Sequence, residues 1–305
     1  MICVRTNRII KLTGGSVELN NEPLCDAAQL AAFEMIVREK MPAEWAKLPP
    51  GHVWQKGAHS EMAPWPYLSE ELLKLLGANF NLFRLAFLVH DIGLPNVWLC
   101  YKAQPRQWDE NFIAKQNHAE ESVEVLQRWG ALDALPELAR DVLVYSITHH
   151  ADGVSPKLPA DATEIQKWQY VFACLLRDID KYVIYVTLTK GYIGSDDVQK
   201  QECHLYSITM DSRIDPEHFI ELFTRYLPLP KKEMKTYAAY MLYFLGWWSS
   251  DVSLEIIIKA IHQTGAIEML LGYLKKQIPA SQYIRIEEAD QAFAKSHNIE
   301  IKQVG

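Results

Sequence analysis

Histidines and aspartates recur along the first 180 residues in an order that suits metal chemistry: His59, His90-Asp91, His118, His149-His150 and Asp178. Imidazole and carboxylate together are a ligand set for Fe, Mn, Zn or Ni. Successive members lie about 30 residues apart, the length of one helix plus one connection. In an antiparallel bundle, neighbouring helices return such residues to a similar level, where their side chains can converge. Each has an ordinary explanation when taken singly. A histidine at the end of an apolar helix can simply cap it, and Asp178 beside Arg177, Asp180 and Lys181 can be an ion-pair cluster. The joint pattern is hard to obtain from packing, because a buried carboxylate must be paired or bound to a metal.

The stretch AFLVHDIGLPN shows the design most plainly. The apolar run Leu85–Val89 anchors a helix whose last turn ends in His90-Asp91. Two adjacent residues there point about 100° apart around the axis and offer two ligands. Gly93 and Pro95 are expected to break the helix and open the site to solvent. No competing nucleophile motif accompanies this: G-x-S-x-G, a P-loop and H-E-x-x-H are all missing from the sequence.

The elements that would position these residues are overwhelmingly helical. Residues 1–22 read as a β-hairpin, with β-branched ICVRTNRIIKL, a Gly14-Gly15 turn and SVELN. From Asp26 the apolar spacing becomes helical, and residues 42–66 read as loop with a short helix near Ala43–Lys47. Helices follow in SEELLKLLG, from Ser69, in FNLFRLAFLVHD, and in NHAEESVEVLQRWG with Gly130 as its C-terminal cap. LPELARDVLVYSITHH and the long EIQKWQYVFACLLRDIDKYVIYVTL complete a metal-binding helical domain over 23–190. Residues 191–216 read as a loop or lid. Three or four further helices over 217–297 form a C-terminal extension, residues 191–305, packed on that core. The closing IEIKQV is expected to be a short strand pairing with the hairpin. The fold class is therefore all-α, a helical bundle with a short N-terminal hairpin and a helical extension.

Composition narrows the function classes. The 305 residues are 49% apolar and 23% charged, enough for a sizeable core. A net charge of −7 disfavours a nucleic-acid partner, which needs a basic face. Small anionic substrates remain open, because a bound metal supplies local positive charge. The five cysteines are scattered without a C-x-x-C pair, which suits a reducing compartment. The N-terminus lacks the apolar core and cleavage site of a leader, and the apolar Tyr237–Trp248 is too short to span a bilayer. The expectation is a cytoplasmic protein with no membrane partner, for which homo-oligomerisation stays open.

The sequence also resembles the HD-domain metal-dependent phosphohydrolases. HDIG, His59 in AHSEM, His118 in HAEES and the RDIDK stretch at 177–181 carry the resemblance, over roughly residues 55–190. It implies that His59, His90, Asp91 and Asp178 form a first metal site. Asp91 would bridge to a second metal held by His118 and by His149 or His150. Members of the family often read I-x-x-H at that place, so Ile147 leans the choice to His150, with His149 as a substrate contact. The resemblance implies two divalent transition-metal ions, Fe or Mn, with Zn, Ni or Mg also compatible. It implies hydrolysis of a phosphomonoester or phosphodiester, with a nucleotide as the expected small substrate. The catalytic group would be Asp91, with Lys181, Arg177 and His149 contacting the phosphate or leaving group. Two features depart from relatives: Leu94 stands where some carry a phosphate-binding lysine, and HHADGVSPKLP keeps only Asp152-Gly153 and Pro156 of the GYP-type signature. Two other classes share the ligand pattern, a di-iron oxygenase and a regulatory module with a non-catalytic metal site.

Overall fold

The computed structural model describes residues 8–12, 15–48, 65–103, 118–151, 156–189, 208–210, 213–215 and 217–299. It is an all-α structure with a short N-terminal hairpin, and it divides into two compact units, 1–179 and 180–305. The division falls inside one long helix, whereas the sequence suggests a boundary after it, at 190/191.

In the first unit, β1 (Arg8–Leu12) pairs antiparallel with β2 (Gly15–Leu19), with Ile10 opposite Val17 and Ile9 opposite Glu18. Strand alternation puts Ile10, Val17 and Leu19 inward and leaves Ile9 in solvent. The helices are α1 (Ala27–Trp45), α2 (Trp65–Leu76), α3 (Phe80–Val89), α4 (Leu94–Ala103), α5 (His118–Arg128), α6 (Glu137–His149) and α7 (Glu164–Thr187). Asp26 opens α1 with a reciprocal cap: its carboxylate accepts the Gln29 N–H at 2.8 Å, and the Gln29 side chain accepts its N–H at 3.0 Å.

Three local expectations are corrected here. Helix α1 does not stop before Pro42 but runs through it to Trp45. Pro42 falls in the last turn, where its missing N–H removes a single bond, and its carbonyl still accepts the Ala46 N–H at 3.0 Å. Gly93 and Pro95 do not open the chain to solvent. His90–Gly93 form one buried turn, and α4 restarts at Leu94 with Pro95 in its first turn, where proline is tolerated. Helix α2 begins at Trp65, ahead of Ser69.

Helix α3 is the centre of this unit and packs on α1, α2 and α6. Leu82, Phe83, Leu85, Ala86, Phe87 and Val89 are all buried on it. Phe83 meets Phe172 of α7 edge-on with ring centroids 5.4 Å apart, and burying one such ring stabilises by roughly 1.5–3 kcal/mol. Asn79 anchors the start of α3 to the chain leaving the hairpin. Its Oδ1 accepts the Leu24 N–H at 2.8 Å and its Nδ2 donates to the Glu22 carbonyl at 3.0 Å. Helix α5 packs between α4 and α6 and is closed by Gly130 at φ 68°, the left-handed cap expected of it.

The second unit holds α8 (His218–Thr224), α9 (Tyr237–Ser250), α10 (Glu255–Gln263), α11 (Ala266–Gln277) and α12 (Ala280–Ser296). These are five helices among the described residues, where the sequence suggests three or four. The extra division is at Thr264-Gly265, where Gly265 takes φ 77° and splits one apolar pattern in two. Tyr237–Trp248 is a buried helix, as its composition implies. Tyr185, wholly buried near the end of α7, donates its hydroxyl to the Phe244 carbonyl and accepts the Trp248 N–H at 3.1 Å. Most of the expected loop at 191–216 and the closing IEIKQV strand lie outside the described residues.

Among the described residues, one stretch, Glu70–Val97, is long and apolar enough to cross a membrane, with mean hydropathy 1.5. Half of its most apolar window is buried, and it comprises part of α2, all of α3, the turn after it and the start of α4. That is the pattern of a core segment, and the stretch is weak evidence for a span.

Candidate metal centre

The site is built at helix ends. The last carbonyls of a helix have no acceptor role to fill within it, and two histidines use them. His90, the residue closing α3, donates Nδ1–H to the Phe87 carbonyl at 2.5 Å. His150, the residue closing α6, donates Nδ1–H to the Ile147 carbonyl at 2.6 Å. A carbonyl can only accept, so both rings carry their proton on Nδ1 and direct Nε2 into the cluster. A backbone carbonyl on the far nitrogen is the usual support of a metal-binding imidazole.

Asp91 lies between them. Its Oδ1 is 3.2 Å from His118 Nε2 and 3.3 Å from His150 Nε2, and those two nitrogens are 3.1 Å from each other. The three atoms make a nearly equilateral triangle. Donors bound at about 2.1 Å to one ion are about 3.0–3.4 Å apart in octahedral or tetrahedral geometry, so this spacing fits a shared cation. The other oxygen, Oδ2, faces His90 Nε2 at 3.5 Å. One carboxylate thus addresses His118 and His150 with one oxygen and His90 with the other. One ligand atom from each of His90, Asp91 and His150 can be drawn within 4.8 Å of the others.

The electrostatics agree with a cation. Helices α3 and α6 both end at the cluster, so the partial negative charge of two C-termini falls on it. Burial pushes the His150 imidazole below its usual pKa; the Asp91 carboxylate opposes this, and the neighbouring His90 and His118 reinforce it. A neutral imidazole is the form that binds metal. The His90 and His150 side chains are essentially inaccessible, while His118 is 30% exposed and forms the open side.

The remaining expected residues divide. His149 is not in this cluster; its ring lies against Tyr145 on the preceding turn, centroids 4.2 Å apart. Asp178 is wholly buried and Arg177 nearly so, side by side in the middle of α7. Lys181 falls in the second unit, where its ammonium stands over the Trp247 ring at 5.8 Å from the centroid. His59 lies outside the described residues.

Two participants go unmarked in the sequence. Gly93, which reads there as a helix breaker, is a contact point: a Cβ on it would come 2.6 Å from the His118 carbonyl oxygen and 2.5 Å from the Ser122 nitrogen. Ser122 is buried between the same two segments. The only sequence signal for either is a small residue one turn after His118 and a glycine two after Asp91. Comparisons with family models, curated proteins and solved structures find no match to this chain.

Proposed function

We propose that the protein is a metal-dependent phosphohydrolase of the HD type, acting on a small phosphorylated substrate. The observation that carries this reading is the divided carboxylate of Asp91, with His118 and His150 at one oxygen and His90 at the other. His90, Asp91, His118, His150 and the buried Asp178 would hold two divalent ions such as Fe or Mn, and His59 completes the set by resemblance. Such ions, when bound, would supply an acidified water and positive charge for the phosphoryl oxygens.

The chain's own contributions follow from its geometry. The Phe87 and Ile147 carbonyls keep the proton of His90 and His150 on Nδ1, so Nε2 stays available. Burial favours the neutral form of His150, against the pull of the Asp91 carboxylate. His118 lies on the accessible side, where a substrate can approach. Arg177, beside Asp178, is the cation assigned to a phosphate oxygen. A nucleotide as the particular substrate follows from the family resemblance. Cys25 and Cys174 are held in no disulfide, which fits a reducing compartment such as the cytoplasm.

The test is metal content per chain by elemental analysis, on protein purified without chelator and again after reconstitution with Fe(II) or Mn(II). About two ions per chain, lost in Asp91→Ala, followed by phosphoester turnover, is the expected result. Full loading with dioxygen uptake and no phosphoester turnover would transfer the site to oxygenase chemistry. No metal under either condition would overturn the reading.

A further inference from the structure

His90 and His150 are each steadied through their rings by a carbonyl of their own helix, whereas His118 opens a helix and its carbonyl is tied, through a serine one turn on, to the segment carrying Asp91. The Ser122 hydroxyl does this with both of its hydrogen-bonding capacities. It donates to the His118 carbonyl at 2.8 Å and accepts the Gly93 N–H at 2.9 Å. Gly93 stands two residues after Asp91, so one buried hydroxyl joins the turn carrying the carboxylate to the residue carrying the imidazole. The approach is as close as backbone allows. A Cβ at Gly93 would lie 2.5 Å from Ser122 N, 2.6 Å from His118 O and 2.8 Å from Glu121 C, all main-chain atoms that cannot swing aside. A second tie runs alongside, where Asn96 Nδ2 donates to Glu121 Oε1 at 2.7 Å, again between α4 and α5.

We propose that Ser122 is a positioning residue: its hydroxyl, seated on Gly93, sets the distance between His118 and Asp91 and so the affinity of the cation they share. The inference rests on His118 being a metal ligand, as read above. A supporting residue of this kind changes metal affinity by about 10–100-fold when removed, without contacting the ion. Because the hydroxyl acts through His118, its effect should disappear when His118 is gone. A residue that only supports the fold would act the same in either background.

The experiment is a double-mutant cycle on the full chain, titrated with Co(II) alone and followed by visible absorption, with thermal melting in parallel. Ser122→Ala is expected to weaken Co(II) binding about tenfold or more in the parent background and to change it little in His118→Ala. Equal binding by Ser122→Ala and the parent, or equal weakening in both backgrounds, overturns the proposal. If His118→Ala itself binds Co(II) as the parent does, the ligand reading of His118 fails first, and that failure is distinguishable. Should Ser122→Ala not fold, Asn96→Ala loosens the same contact from the part-buried side. It is expected to weaken Co(II) binding by about threefold, a fraction of the direct effect, and unchanged binding there would overturn the proposal.

Discussion

Both units bury aspartates, and two of these carboxylates, Asp91 and Asp290, keep opposite company. Asp91, in the first, has imidazole nitrogens at 3.2, 3.3 and 3.5 Å around its two oxygens. Asp290, on α12 in the second, accepts the indole N–H of the wholly buried Trp248 at 3.1 Å. Its other influential neighbours are acids, Glu268 on α11 and Glu287 on its own helix. Burial, only partly offset by the Trp248 hydrogen bond and reinforced by the two glutamates, pushes Asp290 up to about 7. Burial alone therefore does not make a carboxylate functional. Imidazole nitrogens offer lone pairs beside the carboxylate, so such a group could hold a cation. An indole donor and like charges turn a buried carboxylate into a neutral hydrogen-bonding group that locks α12 to α9.

The contrast breaks most sharply by exchange of alanine. Asp91→Ala is expected to lose all bound metal and all turnover while far-UV circular dichroism keeps its helix content, whereas Asp290→Ala keeps the metal content of the parent. Metal retained in the first, or lost in the second, would collapse the distinction. Next in size is Gly93→Ala. The added methyl meets main chain on α5, so overpacking should cost about 1–3 kcal/mol in chemical denaturation, and the displacement of His118 should lower metal affinity as well.

Asp290→Asn sharpens the other half. The folded state holds the Asp290 proton up to about pH 7, while the unfolded chain releases it near about 3.9. The folded protein therefore binds more protons between those values, and this contribution is full at acid pH and declines as pH climbs to about 7. A side-chain amide at this position does not titrate and carries no such dependence. Melting temperatures should show Asp290→Asn more stable than the parent at pH 8, little different at pH 4, and flatter between. Equal profiles for the two proteins would show that Asp290 ionises normally. The smallest effect is that of Trp248→Phe. Losing the indole donor removes the one influence that lowers the Asp290 pKa, so the midpoint of the pH-dependent loss should move further upward. The cavity left by the smaller ring destabilises equally at every pH and is separable from that shift.

Much of this was legible beforehand where the cause is local. The hairpin is written in the alternation of Ile10, Val17 and Leu19 against Ile9 and Glu18. The end of α5 is written in Gly130, while the cap that Thr163 gives α7, its hydroxyl accepting the Gln166 N–H at 3.4 Å, was seen only in the structure. The spacing of His90, Asp91, His118 and His150 named the four residues the fold brings together. It could only lean between His149 and His150, because adjacent residues share one helix end. Pro42 misled because proline forbids one hydrogen bond, and at a last turn that bond is dispensable; the break before Pro95 is present, but the turn is buried rather than open to solvent.

What the sequence determined by itself is therefore helix content, the hairpin, and the placing of imidazoles and carboxylates near helix ends. These depend on neighbours within a turn or two. Tertiary structure alone decided that His150 rather than His149 meets Asp91, that Gly93, besides standing at the helix break, is a seat for α5, and that Trp248 reaches Asp290. Those outcomes turn on donor–acceptor separations of about 3 Å between separate elements. Such separations are fixed by how whole helices pack, and no periodicity along one helix contains them.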